Sequence, residues 1–400
     1  MTVPAQRVRR RPSGRVLPLL LVVAMLAPVA FLFAQHHRLT GDDRDLAVRE
    51  RLGVEYLRAL GPVTEALVDA QSAAVAGRPA GRDALDRAVR DAAGVDARIG
   101  DELRSHERWA GLRAKLEALP ERPLTDPEAA FVAYGEVTDL LLALHRKVRE
   151  SSGLVRDPRQ DSFFLQDSIG LDLPTAMVAA GRLADLSALG AARPAAERAR
   201  TQGELAELRV GALASATDLV ADLREAVDSS ESTDLGANVL TPLDTYQRAV
   251  EALAAFSGPS AGSKTGLADP GQVAAARLNA QSAARQLQPV ILDQLDALLK
   301  ERIDSYDRDR RLAAGAAATA VLLVLLLTGV LIAAYRRARR HAAEARRAGD
   351  GDTDTVPDPQ RWAPPTAERG IRPEDHRLLQ PAGSGRDGGS ERWGPFDAAR

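Results

Sequence analysis

Apolar residues recur at three- and four-residue spacing through most of this chain, the period of helices that bury one face. Tyr56, Leu60, Val63, Leu67, Ala70 and Ala74 form one stripe, and Gly77, Pro79 and Gly81 end it. A second helical pattern runs from Asp83 to Leu119 and stops at Pro120 and Pro123. Thr125-Asp126-Pro127-Glu128 then supplies a capping residue before a proline at the first helical position. Tyr134, Val137, Leu141, Leu144 and Val148 line one face of the helix that follows. Breaks at Ser151-Ser152-Gly153 and Asp157-Pro158 open a fourth helix, predicted to extend to Leu189. A fifth is expected from Ala195 to Val227, with Leu205, Leu208, Ala212, Leu219 and Ala226 on its stripe, and a sixth ends at Phe256. Residues 257–271 have loop composition. The last pattern starts near Gln272, shows Leu287, Ile291, Leu295 and Leu298, and is expected to continue into an apolar segment.

Two segments depart from the amphipathic pattern. Residues 16–34 (VLPLLLVVAMLAPVAFLFA) and 312–335 (containing AVLLVLLLTGVLIAA) are apolar and uncharged. At a rise of about 1.5 Å per residue, each is long enough to cross a bilayer core of about 30 Å. Arg7, Arg9, Arg10, Arg11 and Arg15 precede the first, while Arg336, Arg337, Arg339, Arg340, Arg346 and Arg347 follow the second. Positive flanks stay in the cytoplasm, so both termini are expected inside and residues 35–311 outside. Arg308, Arg310 and Arg311 on the outer flank weaken that signal, and Asp307 and Asp309 offset their net charge. A cleaved signal peptide is the competing reading of the first segment. Phe33 and Gln35 around Ala34 make a poor cleavage site, which favours an uncleaved anchor.

The expected organisation is a basic cytoplasmic N-terminus (1–15), a membrane helix (16–34), an extracytoplasmic domain (35–311), a second membrane helix (312–335), a basic juxtamembrane segment (336–348) and a disordered cytoplasmic tail (349–400). The location this implies is the plasma membrane of a bacterial cell, crossed twice.

Composition narrows the chemistry. The chain has no cysteine, which excludes disulfides, thiolate metal sites and cysteine nucleophiles. Aromatics are 4% of residues while alanine and leucine abound, which favours helices over a β-sandwich. The expected fold is all-α, a long antiparallel helical bundle or two stacked bundles between the membrane helices. Net charge is −2 with both signs interleaved, so nothing points to nucleic acid.

Two stretches, Glu50–Pro79 and Ser151–Gly190, carry a set of residues in a recognisable order. In the second these are Ser152, Leu154, Asp157, Pro158, Asp161, Phe163, Phe164, Leu165, Asp167, Leu173 and Pro174. Both stretches resemble the extracytoplasmic helical-bundle input domain of bacterial methyl-accepting chemotaxis proteins and related membrane sensor kinases. The resemblance covers the first half of the external domain, and the second half only in its helical pattern. Ala70, Gln71 and Ser72 stand about where that family carries His-Arg-Gly, and no output module follows the second apolar segment. The residues themselves admit a structural role: Asp157 capping a helix opened by Pro158, Phe163 and Phe164 in the core, and Asp161 accepting backbone donors. The functional alternative makes this region part of a pocket where Arg156, Arg159 or Arg182 meets an anionic metabolite. Arginine suits that task because its planar fork binds carboxylates bidentately.

Catalytic and metal-binding patterns are absent. His36, His37, His106, His145, His341 and His376 are scattered, and the adjacent His36 and His37 lack further ligands at workable spacing. There is no phosphate loop, G-x-S-x-G elbow or H-E-x-x-H, and Glu374-Asp375-His376-Arg377 lacks the surroundings of a kinase phosphoacceptor. No enzyme activity, cofactor or metal is expected. The expected partners are the membrane, a small anionic ligand, a second copy of the chain, and a cytoplasmic protein that reads the tail. Two functions fit. One is a signal-input protein whose external domain senses a small molecule or partner and passes a helix shift inward. The other is a membrane-tethered scaffold or envelope interaction protein with no ligand. A polar, arginine-bearing cavity between helices separates the two.

Overall fold

The computed structural model describes residues 16–78, 82–119, 126–156, 159–230, 233–258 and 267–349, except the side chains of 16–23, 161, 346, 348 and 349. The basic N-terminus (1–15) and the tail from 350 onward lie outside the described residues, as do Asp157 and Pro158. Among the described residues every regular element is a helix. In chain order they are α1 (Val16–Val75), α2 (Arg82–Ile99), α3 (His106–Ala118), α4 (Pro127–Ser152), α5 (Gln160–Asp167), α6 (Leu173–Ala192), α7 (Arg198–Ser229), α8 (Thr233–Phe256) and α9 (Pro270–Gly349). A π turn (Ser168–Asp172) joins α5 to α6.

The predicted stripes are the buried faces. Tyr56, Leu60, Val63, Leu67, Ala70 and Ala74 of α1 enter one apolar core with Tyr134, Val137, Leu141, Leu144 and Val148 of α4. Leu219, Leu223 and Ala226 of α7 and Leu287, Ile291 and Leu295 of α9 join the same core. Helix α4 begins as its sequence dictates: Asp126 accepts from the Glu128 N–H at 3.0 Å, with Pro127 at the first turn. It ends at Gly153, whose φ of 93° is left-handed and favours glycine.

Two helices differ from expectation for local reasons. The pattern from Asp83 to Leu119 is broken into α2 and α3 by a turn at Gly100–Ser105, where Arg104 has φ 50°. Asp96 organises that turn, accepting from the Tyr56 hydroxyl and from His106 Nδ1, each at 2.7 Å. Its carboxylate fills the space beside Gly100, where an added Cβ would lie 2.3 Å from Asp96 Oδ1. The fourth helical run is interrupted by the π turn. Pro174 has no N–H to give and its ring crowds the preceding turn, so the ladder widens just before it, with Leu173 N–H reaching Ser168 O.

Helix α1 runs antiparallel to α9 along a ladder of ion pairs. Arg44 meets Asp307 at 2.6 Å, Arg51 meets Asp296 at 2.7 Å, and Arg58 meets Asp293 at 2.8 Å. Glu50 pairs with Arg302 at 3.4 Å, Glu65 with Arg285, and Asp69 with Arg277 at 3.0 Å. Helix α4 is also antiparallel to α1, with His145 beside Thr64 and Ser152 beside Gly53. Helix α6 packs on both α1 and α7, and α7 on α8. One stretch within α9 is long and apolar enough to cross a membrane, and none of it is buried against other helices.

Candidate functional site

Helices α6, α7, α8 and α9 do not close completely where they meet. Six alanines, Ala176, Ala180, Ala212, Ala216, Ala280 and Ala284, line a cavity of about 20 Å³ between them. That is room for one water-sized group. The sequence makes this opening because alanine holds a helix but projects only a methyl group.

Polar groups stand on one side of the cavity. Arg277 of α9 is only 6% exposed and lines it together with Gln281 and Tyr246. Arg277 Nη1 donates to Asp69 Oδ1 at 3.0 Å and to Gln281 Oε1 at 2.6 Å. Gln281 Nε2 in turn donates to the Glu65 carbonyl at 3.4 Å. Next to this layer, Gln71 Nε2 donates to Asp185 Oδ2 at 2.9 Å in a buried α1–α6 contact. Burial pushes the Asp185 carboxyl up to about 6, against the pull of Ser72, Gln71 and Arg277. Burial also raises Glu65, and its neighbour Arg285 opposes that rise. An arginine fixed by one nitrogen keeps its remaining N–H groups for an acidic or carbonyl oxygen.

The arginines singled out from the sequence are not brought together. Arg182 Nη2 spans from α6 to α4, donating to Gly135 O at 3.0 Å, Thr138 Oγ1 at 2.8 Å and Asp139 Oδ1 at 2.6 Å. Arg156 and Arg159 lie exposed at the connection between α4 and α5. Some 22 helical residues separate Gln160 from Arg182, roughly 30 Å along the axis.

The described members of the resembling motif take packing positions. Ser152, Leu154, Leu165 and Leu173 are buried, as is Pro174. Phe163 and Phe164 are half-buried and meet edge to face at 5.5 Å. Asp167 accepts from Arg149 of α4. The Asp161 side chain lies outside the described residues.

Arg277 and Gln281 were reachable from the sequence by one signal. Arg277 occupies the apolar stripe of α9, between Val273 and Ala284, where a charge requires a buried partner. Among the described residues no cluster of His, Asp or Glu is arranged to hold a metal ion. The chain matches no protein-family model, no curated protein and no solved structure.

Proposed function

We propose that this is a membrane-anchored signal-input protein. In this reading the helices between the two apolar segments form an external antiparallel bundle that binds a small anionic molecule or a partner. Helix α9 carries the resulting shift to a separate cytoplasmic protein. The observation that carries the reading is the cavity with Arg277 in its wall, because a scaffold has no need of a buried, partly uncommitted cation beside a void. Small-residue walls let neighbouring helices separate and admit a group larger than the resting cavity.

Two-pass anchoring has its own support. Met25, Phe31 and Leu32 on α1 and Leu312, Leu322 and Leu326 on α9 are exposed large apolar residues, a surface that lipid would cover. Arg310 Nη2 donates to His37 Nε2 at 3.2 Å, at the end of the α1–α9 ladder. Continuing that antiparallel register brings residues 16–34 level with the second apolar segment. The arginine flanks then face the cytoplasm, with residues 35–311 outside.

The test is thermal unfolding of the full chain in lipid nanodiscs across small carboxylates, amino acids and inorganic anions, with wild type and Arg277→Gln compared. A ligand at 100 times its Kd adds about 2.7 kcal/mol of stability. A saturable shift in wild type that Arg277→Gln abolishes supports the reading. No shift with any compound transfers the argument to the scaffold reading, which the continuous α1–α9 ladder favours.

A further inference from the structure

Arg308, Arg310 and Arg311 stand where the apolar run of α9 begins, at the end where membrane orientation gives no reason for positive charge. Arg310 is turned toward α1, its Nη2 donating to His37 Nε2 at 3.2 Å. Arg308 and Arg311 are exposed, and among the described residues neither makes a hydrogen bond or ion pair. Positions 304, 308 and 311 follow four-and-three spacing, so Asp304 shares their face of the helix. These three residues and Lys300 line one open groove. Asp304 too is exposed and has no ion pair among the described residues, whereas Asp307 is taken by Arg44. Arg311 is level with the start of the apolar run, Arg308 stands about 4.5 Å further out, and Asp304 about 6 Å beyond that.

The same face continues into the apolar run through Gly315 and Leu322. Nothing lies within 4 Å of where a Cβ on Gly315 would be, and Leu322 is 66% exposed. The partly covered positions of this run, Ala313, Ala317, Ala320 and Val324, lie on the other side of the helix. A charged groove therefore leads directly into an apolar trough.

We propose that this face of α9 is a phospholipid-binding site that takes phosphatidylethanolamine. The phosphate meets Arg308 and Arg311, whose planar forks match its oxygens. The primary amine donates outward to Asp304, and an acyl chain lies in the trough left by Gly315. Asp304 selects the headgroup: a purely anionic one meets its charge, and choline has no N–H to give it. A second copy of the chain fits this face less well. In a bilayer the two copies would share one orientation, and a two-fold axis would set Asp304 beside Asp304 and Arg311 beside Arg311. The site rests on α9 crossing a bilayer, as in the signal-input reading, and on nothing about ligand sensing.

The test is native mass spectrometry of the full chain released from nanodiscs of equal phosphatidylethanolamine, phosphatidylcholine and phosphatidylglycerol. Wild type should retain phosphatidylethanolamine at about fivefold its share of the bilayer, the size of effect one interfacial cation supplies. Arg308→Gln/Arg311→Gln should lose the retained lipid. Asp304→Asn should keep lipid but no longer distinguish ethanolamine from choline headgroups. All three side chains are exposed, so both variants should melt with wild type. Retention in bulk proportion, enrichment of phosphatidylglycerol, or a dimer mass without bound lipid overturns the site. A chain that stays out of the discs removes the membrane anchor and the site together, whereas entry without enrichment removes the site alone. A failed anion panel touches neither.

Discussion

Glu50 on α1 and Arg302 on α9 face each other at 3.4 Å with almost no solvent on either, the glutamate side chain 0% and the arginine 9% exposed. Arg302 Nη2 also donates to Ser162 Oγ of α5 at 2.8 Å, so one guanidinium ties three helices together. Removing one partner of a buried pair strands the other charge, which costs more than losing both. Arg302→Leu should destabilise the protein by about 3–5 kcal/mol, and Glu50→Leu/Arg302→Leu by much less. Urea unfolding of the three proteins decides it. A double variant as unstable as the single one would contradict the argument.

Glycines at two helix positions should respond with opposite signs. Gly94 in α2 has open space where a Cβ would go, so Gly94→Ala should stabilise by about 0.5–1 kcal/mol through helix propensity. A Cβ on Gly53 would lie 2.5 Å from Ser152 Cβ. Gly53→Ala should therefore push α4 from α1 and cost about 1–3 kcal/mol. Thermal melts of both variants compare the two directly, and a stabilising Gly53→Ala would show that the α1–α4 contact yields easily.

Asp185 and His145 impose opposing pH limits. Folded Asp185 has its carboxyl raised to about 6, so its contribution is present below the unfolded value near 4 and disappears as pH rises through 6. Asp185→Asn should flatten that portion of the stability profile.

His145 works the other way. Thr64 Oγ1 gives its proton to Leu60 O at 3.0 Å, so it accepts from His145 Nε2–H at 3.1 Å, and the buried Nδ1 has no partner. Burial lowers the imidazole to about 3. Its contribution is present above the unfolded value near 6.5 and is lost as pH falls toward 3. His145→Met should shrink the loss of stability between pH 6 and 4, read as the difference between melting temperatures at those two values. An unchanged difference would mean that His145 is reached by water.

Arg182 should prove to be a packing residue. Its three acceptors all lie on α4, so Arg182→Met should cost about 1–3 kcal/mol while leaving any ligand-induced melting shift intact. Loss of that shift in Arg182→Met, with Arg277→Gln unaffected, would return Arg182 to the ligand site.

Helix stripes are legible in this chain because burial follows the three-and-four spacing directly: Tyr56 through Ala74 on α1 and Tyr134 through Val148 on α4 need no tertiary knowledge. The α2–α3 break is less legible, since it depends on Asp96 finding Tyr56 on another helix. The widening before Pro174 has a local cue, a proline that cannot donate to the helical ladder. For the candidate site, Arg156, Arg159 and Arg182 come from nearness to a motif, whereas Arg277 announces itself by interrupting an aliphatic stripe. The cavity itself is invisible in sequence because it needs alanines from three helices at one level.

The rungs between α1 and α9 work like the teeth of a comb that mesh at one setting. Sliding α9 by four residues, about 6 Å, leaves no rung intact in either direction. One direction brings Arg311 to Arg44 and Lys300 to Arg51; the other offers them Ile303 and Leu292. Glu50 would exchange Arg302 for Tyr306 or Leu298, and Asp69 would exchange Arg277 for Gln281 or Val273. A three-residue slide would offer Asp304 to Arg44 and Asp293 to Arg51 but leave Glu50 against Leu299 and Asp69 against Ala274, so a ratchet in either step gives up rungs that the observed register keeps together.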